Sequence, residues 1–366
     1  MASRTLVGAL ATALAAACAT SPAPYREPGA LSAPTRTEPP TLRVAVLGDF
    51  GAHTPRQRRV ARTLLRSNDR RPLDLVLQPG DNLYNCGPNP RLPGADACRF
   101  GPDASTLVAG VAPPDDPHFE RNEGPLRALS RRDGRPTPIF LALGNHDVGE
   151  LRSCRVPGLA RDEWMRRRAC LEVARRSPQW RMPGRHYVLD EGPVRFIVID
   201  SNVAVADYGG FTLAAEEAFV EEASAGCAER TCFLVAHHPP ALALSAPHTG
   251  EREPGIVRMR RVVAAAHGRL AGVLAGHAHA LEHLVLDGTD VFIAGGGARG
   301  EAYPITAAWP PDARLRFGCA TGGFGVLEAW SGGWSLRFVD DHGRPLHCCE
   351  AIDRGPCQPV ACADAP

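Results

Sequence analysis

Five short blocks of the chain carry side chains that can hold a metal ion or move a proton. They are Gly48-Asp49-Phe50-Gly51, Gly80-Asp81-Asn82-Leu83-Tyr84, Gly144-Asn145-His146-Asp147, His237-His238-Pro239-Pro240 and Gly276-His277-Ala278-His279. Each has a plain structural explanation when taken alone, because Asp after Gly and Asn-His-Asp are common turn chemistry. All five, however, follow an apolar run. Carboxylate, amide and imidazole groups repeated at strand ends would be gathered along one edge of a sheet, which is where open α/β folds present ligand groups. Together they point to a metal site, with Asp49, Asp81, Asn145, His237, His277 and His279 as candidate ligands.

The elements that must position these blocks are legible as apolar periods. Leu42–Leu47, Leu73–Leu77, Thr137–Leu143, Cys232–Ala236 and Ala271–Ala275 are predicted strands leading into the five blocks. Arg185–Asp190 and Val194–Asp200 are predicted to pair antiparallel, and short strands are expected at His283–Leu286, Val291–Ala294, Gly325–Ala329 and Trp334–Val339. Thr54–Arg66 is a predicted helix, with Thr54 as N-cap and Pro55 in the first turn. Further helices are expected at Arg161–Arg176, with its Arg residues in solvent, at Thr212–Ala223, with Glu216, Glu217, Glu221 and Glu222 facing water, and at Ile256–Ala266. Residues 85–118 read as a long loop pinned by Cys86 and Cys98. Gly295-Gly296-Gly297-Ala298-Arg299-Gly300 has dinucleotide-loop spacing but precedes Glu-Ala-Tyr-Pro rather than a helix, so a turn or site-wall loop is expected.

The chain has 366 residues, 44% hydrophobic and 22% charged, with a net charge of +1. That charge excludes a global field drawing in nucleic acid, and no nucleic-acid patch or protein partner is evident. Residues 1–17 read as an export signal: Arg4 precedes an apolar, Ala-rich run too short to span a bilayer. Leu14-Ala15-Ala16-Ala17-Cys18 resembles a bacterial lipobox, which predicts cleavage before Cys18 and membrane attachment through its lipidated thiol. An ordinary secretory signal with an incidental Cys is the alternative. Residues 18–40 are rich in Pro and read as a tether, 41–340 as the main domain and 341–366 as a Cys-rich tail. Twelve cysteines in an exported chain imply disulfides. Proximity in sequence suggests Cys86 with Cys98, Cys154 with Cys170, and Cys227 with Cys232. Cys319, Cys348, Cys349, Cys357 and Cys362 are left for the C-terminal part, where the adjacent pair Cys348 and Cys349 is not expected to bond to itself.

The five blocks resemble those of calcineurin-like metallophosphoesterases, and more narrowly those of purple acid phosphatases of the small, tartrate-resistant type. The carrying residues are Asp49-Phe50-Gly51, Gly80-Asp81-Asn82-Leu83-Tyr84, Gly144-Asn145-His146-Asp147, Leu234-Val235-Ala236-His237 and Gly276-His277-Ala278-His279. The resemblance implies a four-layer αββα sandwich of two mixed sheets flanked by helices, with the metal site at the strand ends. It implies a first metal held by Asp49, Asp81, Tyr84 and His279, and a second held by Asp81, Asn145, His237 and His277. Most of the superfamily has His where this chain has Gly51; Tyr84 offers a compensating ligand. Its phenolate suits Fe(III), beside a divalent Fe, Zn or Mn. The fourth block leaves His237 or His238 as ligand. His237 is favoured, since strand alternation would send its neighbour to the other side.

The implied activity is that of an exported acid phosphatase, hydrolysing phosphomonoesters by direct attack of a metal-bound hydroxide. His146, oriented by Asp147, and His248 are the candidate catalytic groups for protonating the leaving alcohol. A phosphodiesterase or nucleotidase with the same two metals, and a non-catalytic surface lipoprotein, are the alternatives.

Overall fold

The computed structural model describes residues 23–36, 38–244, 252–299, 305–353 and 355–362. Cys18 and His248 lie outside the described residues. Two sheets of eight strands dominate. One runs in the order Tyr25–Arg26, Arg314–Cys319, Leu281–Leu286, Thr289–Ala294, Gly272–Ala275, Thr231–Ala236, Val194–Val198 and Tyr187–Glu191. The other runs Gln358–Pro359, Pro345–Ile352, Gly333–Asp340, Gly323–Trp330, Leu42–Val46, Leu75–Pro79, Ile139–Ala142 and Trp180–Arg181. Both are mixed: the first has parallel pairing at its centre and antiparallel pairing toward both edges, while the second is antiparallel from Gln358–Pro359 to Leu42–Val46 and parallel from there to its Trp180–Arg181 edge.

The period of two along each strand decides which face packs where. Val44, Val46, Leu75 and Leu77 meet Phe196, Val198, Phe233 and Val235 of the facing sheet in one buried core. The alternate residues Ala45, Val76, Leu141, Ile197, Leu234 and Val273 pack with helix residues such as Val60, Leu64, Val220 and Val262 on the outer faces. The result is the expected αββα sandwich.

Helices form where capping and periodicity ask for them. Thr54 caps Pro55–Arg70, its Oγ1 accepting from the Gln57 amide at 3.1 Å. Thr212 caps Leu213–Ser224 through the Ala215 amide. The other two expected helices span Arg161–Ala174 and Arg252–Ala264.

Several sequence expectations change. Glu216 is buried rather than solvated, 3.0 Å from both Arg185 and His186. Arg168, on the helix whose arginines were assigned to solvent, is buried as well. The cysteines around the long loop pair across it: Cys86 bonds Cys154 and Cys98 bonds Cys170, while Cys227 bonds Cys232 as expected. Sequence proximity misleads here because the loop lies against the Arg161–Ala174 helix instead of closing on itself. Cys348 pairs with Cys362 and Cys349 with Cys357, and Cys319 is disulfide-bonded too; among the described residues no cysteine is free.

The tail and the tether both contribute strands. Pro345–Ile352 joins the second sheet beside Gly333–Asp340, and Tyr25–Arg26 pairs with the Arg314–Cys319 edge. The Glu350 carboxylate accepts from the backbone amides of Thr35 and Arg36, fastening residues 35–36 to that tail strand.

His347, on the same strand, lies 2.8 Å from His283, which in turn lies 2.8 Å from Asp290. Their neighbour Cys349 is in a disulfide and has no thiolate to offer a metal. Burial pushes both imidazoles below their ordinary value. They are neutral in the fold and take up protons on unfolding below about pH 6.5. Stability is therefore full above that pH and is lost as pH falls through it. His347→Gln is expected to reduce this acid loss, read as the change in urea midpoint between about pH 7 and pH 5. An unchanged acid loss would remove the pair from the account.

Candidate metal centre

The parallel order of Leu42–Val46, Leu75–Pro79 and Ile139–Ala142 brings Asp49, Asp81 and Asn145 to the same end of one sheet. The parallel pair Thr231–Ala236 and Gly272–Ala275 does the same for His237 and His277 in the other. The two sheets close on each other here: the Gly48 amide donates to the Ala294 carbonyl at 2.9 Å, and His237 Nδ1 lies 3.1 Å from the Pro79 carbonyl. Within one sheet the ends of Leu75–Pro79 and Ile139–Ala142 crowd together too, and this requires Gly144: a Cβ there would lie 2.3 Å from both the Asp81 amide and its Oδ1. Asp49, Asp81 and His277 have φ of 57°, 56° and 70°, in the left-handed region that non-glycine residues seldom occupy. Such strain costs on the order of 1 kcal/mol or more per residue and collects at functional sites.

The structure brings together all seven predicted ligands, in two groups. In the first, the Tyr84 hydroxyl donates to Asp49 Oδ1 at 3.0 Å and lies 3.2 Å from His279 Nε2, which is 3.5 Å from Asp49. In the second, His237 Nε2 lies 2.9 Å from Asn145 Oδ1, 3.2 Å from His277 Nδ1 and 3.4 Å from Asp81 Oδ1. Asp81 adjoins both groups, since it also faces the Tyr84 hydroxyl. The partner atoms of these ligands fix their orientation. His237 Nδ1 donates to the Pro79 carbonyl at 3.1 Å, leaving Nε2 with its lone pair toward the site. The His277 amide donates to Asp49 Oδ2 at 2.8 Å.

The electrostatics fit cations. Burial and the charge of Asp81 push the Asp49 carboxyl well up, and burial with Asp49 and Asp81 pushes the Tyr84 phenol up. Burial opposes ionisation of Asp81 as well, but His237, His146 and two hydrogen bonds outweigh it and hold its carboxyl low. Two buried carboxylates and a phenol converging with an amide and three imidazoles form an oxygen- and nitrogen-rich donor set that suits two first-row or similar cations. His237 belongs to two close ligand groups, one with Asp49 and Asp81 and one with His238 and His277.

Three catalytic-site expectations need separate treatment. His146 is at the site: its amide donates to Asp81 Oδ1 at 3.0 Å, its Nε2 is 3.8 Å from Asp81 Oδ2, and its ring lies 4.2 Å from that of Tyr84. Asp147 does not orient it. The Asp147 carboxylate accepts from the Gly144 and Leu83 amides and from Asn82 Nδ2, tying two of the blocks together. Its position in the short Asn145–Val148 helix turns it back toward the helix start. Burial and Asp81 push its carboxyl up to about 7. The His146 Nδ1 is instead directed to the Asn85 carbonyl at 2.6 Å. His248 cannot be placed, lying outside the described residues.

His238 is a residue that sequence reasoning turned away from the site. Its ring is 4.9 Å from that of His237 and 4.7 Å from that of His277. The strand ends at Ala236, so alternation no longer governs the two histidines. Ser201 Oγ accepts both their amides, at 3.1 and 2.9 Å, and holds them in one bend. Arg299, from the Gly-rich loop, was also missed. Its guanidinium sits 4.4 Å over the Tyr84 ring and donates to Asn85. That loop is a wall of the site: the Gly297 amide donates to the Gly48 carbonyl at 3.2 Å.

A family model of calcineurin-like phosphoesterases matches residues 42–281, which include every strand-end block. The chain belongs to that family. No curated protein sequence matches it. Among solved structures, this phosphoesterase resembles GAP50, described as the anchor in the inner membrane complex of Plasmodium, with a TM-score of 0.58 at 15% identity, covering 86% of this chain and 90% of that one. It resembles purple acid phosphatase PPD1 from yellow lupin seeds with a TM-score of 0.56 at 14% identity, covering 91% of this chain and 59% of the lupin chain. PhoD follows at 0.51 and 14%, covering 91% and 74%. At these identities the likeness is one of fold. The fold and ligand groups are those of a metal-dependent phosphoester hydrolase, and the disulfides suit an oxidising, extracytoplasmic compartment. Among the described residues no helix is long and apolar enough to cross a membrane.

Proposed function

We propose that this phosphoesterase is an exported acid phosphatase acting on phosphomonoesters with an Fe(III)–divalent pair, and that lipidated Cys18 anchors it to a membrane. The observation that carries the reading is the sharing of Asp81 between two ligand groups, with Tyr84 completing the one that Gly51 leaves short. Asp49, Asp81, Tyr84 and His279 would hold one ion, and Asp81, Asn145, His237 and His277 the other. Such a pair, when bound, supplies Lewis acidity for water activation and for the charge on a phosphoryl group. The chain's own residues do the rest. Asp81, kept ionised by its neighbours, supplies two oxygens to share. His146 donates from Nδ1 to the Asn85 carbonyl, which leaves Nε2 to carry a proton to the leaving alcohol. Arg299, over the Tyr84 ring, adds positive charge where a phosphate dianion would enter.

The deciding experiment is a visible absorption spectrum with metal analysis, beside Tyr84→Phe. A broad visible band in the native protein, absent from a variant that still holds iron, is expected for phenolate–Fe(III) ligation. A colourless, active protein with two divalent ions would remove iron and Tyr84 from the proposal. Faster hydrolysis of a chromogenic monoester than of a diester supports the phosphatase, and the reverse order makes it a phosphodiesterase. Hydrolysis of neither ester by the metal-loaded protein would leave a binding module. Release of the mature protein from membranes by Cys18→Ser tests the anchor.

A further inference from the structure

A cavity of about 520 Å³ opens beside Tyr84, between residues 84–91 and 153–157. The Cys86–Cys154 disulfide joins its two walls, and Cys98–Cys170 ties the same loop to the helix behind it. Arg91, Arg121, Arg155, Arg168 and His118 line it, and among the described residues no Asp or Glu does. The absence of acid matters in a chain whose net charge is only +1. Arg168 is 5% exposed and, among the described residues, its guanidinium bonds to the Pro88 and Cys154 carbonyls and to no carboxylate; burial lowers its pKa to about 10. Burying a cation with no counter-ion is costly, and an anion arriving in the cavity would offset that cost. Arg121 and Arg155 are exposed, and no carboxylate pairs with either among the described residues. Arg299 adds a further guanidinium against the ring of Tyr84.

We propose that this arginine-lined cavity is a subsite for a second phosphate group of the substrate, so that the enzyme prefers phosphomonoesters carrying a further phosphate. The inference rests on the phosphatase reading above, which places the scissile phosphate beside Tyr84. Planar guanidinium groups bind phosphate oxygens through paired, charge-assisted hydrogen bonds. A singly phosphorylated ester leaves the cavity to water, whereas a bisphosphate fills it.

The test compares kcat/KM for adenosine 3′,5′-bisphosphate and AMP, which share the 5′-ester, in the native protein and in Arg121→Ala/Arg155→Ala. Both side chains are exposed on the surface, so the double variant is expected to fold normally. The native protein should favour the bisphosphate by roughly tenfold or more. That ratio should fall toward one in the variant and, in the native protein, as salt is raised. A native ratio near one, or a ratio that survives the double substitution, overturns the subsite. Hydrolysis of neither ester would instead overturn the phosphatase reading, and calorimetry would still decide the subsite. Binding of the bisphosphate should then be tighter than that of AMP and weakened in the variant; equal binding of both ligands, or no change in the variant, refutes it.

Discussion

Asp81→Asn should abolish phosphoester hydrolysis, lowering kcat/KM by on the order of 10³-fold or more while the fold remains. The substitution keeps the size of the side chain and removes its charge. In the native site that charge faces His237 at 3.4 Å, accepts from the His146 amide at 3.0 Å and adjoins Tyr84. Asp81 is the carboxylate that both sets of proposed ligands include, so an amide in its place would leave two cations without their common anion. Metal analysis should find fewer than two ions bound, and far-ultraviolet circular dichroism should be unchanged. A variant within tenfold of the native rate would show that the two groups do not act through Asp81, and the dinuclear reading would fail with it.

What the sequence made legible was whatever depends on local period and on residues repeated at strand ends. Thr54 and Pro55 announce their helix because capping is chemistry within one turn. The five blocks announce the centre because parallel strands carry their C-terminal ends to one edge.

What was hidden depends on partners far away in sequence. Glu216 looks like one more surface acid on an acidic helix. It is buried because Arg185, itself 0% exposed, needs it together with Asp200 at 3.1 Å and the Tyr208 that donates to Asp200. The strand Pro345–Ile352 was read as a tail because Cys348 and Cys349 obscure its alternation; pairing with Gly333–Asp340 supplies the order that propensity does not. The same holds for Cys86 and Cys98, whose partners are set by where the long loop lies. His238 is the instructive failure at the site, where a rule for strands was carried one residue past the end of a strand.

Gly51→His tests the most specific link between this sequence and its site. The substitution would install the residue that most of the superfamily carries, so a purely sequence-based view expects an added ligand and a gain. The structure predicts a loss. A Cβ at position 51 would lie 1.9 Å from the Asn82 carbonyl oxygen and 2.3 Å from its carbon. Both are backbone atoms that cannot rotate away, and they sit between Asp81 and Leu83. Gly51 is also bonded on both sides: its amide donates to the Asp81 carbonyl at 3.2 Å, and its carbonyl accepts from the Tyr84 amide at 3.4 Å. Making room would move Asp81 and Tyr84 together, and with them both ligand groups. A destabilisation of roughly 2–4 kcal/mol is expected in urea unfolding, with hydrolysis lost. Tyr84→Phe should not rescue it, because the obstacle is the backbone of residue 82 and not the phenol. Native stability and activity in Gly51→His, or rescue in the double variant, would mean that histidine and tyrosine are interchangeable at this centre and that the close approach of residues 51 and 82 is not what selects glycine.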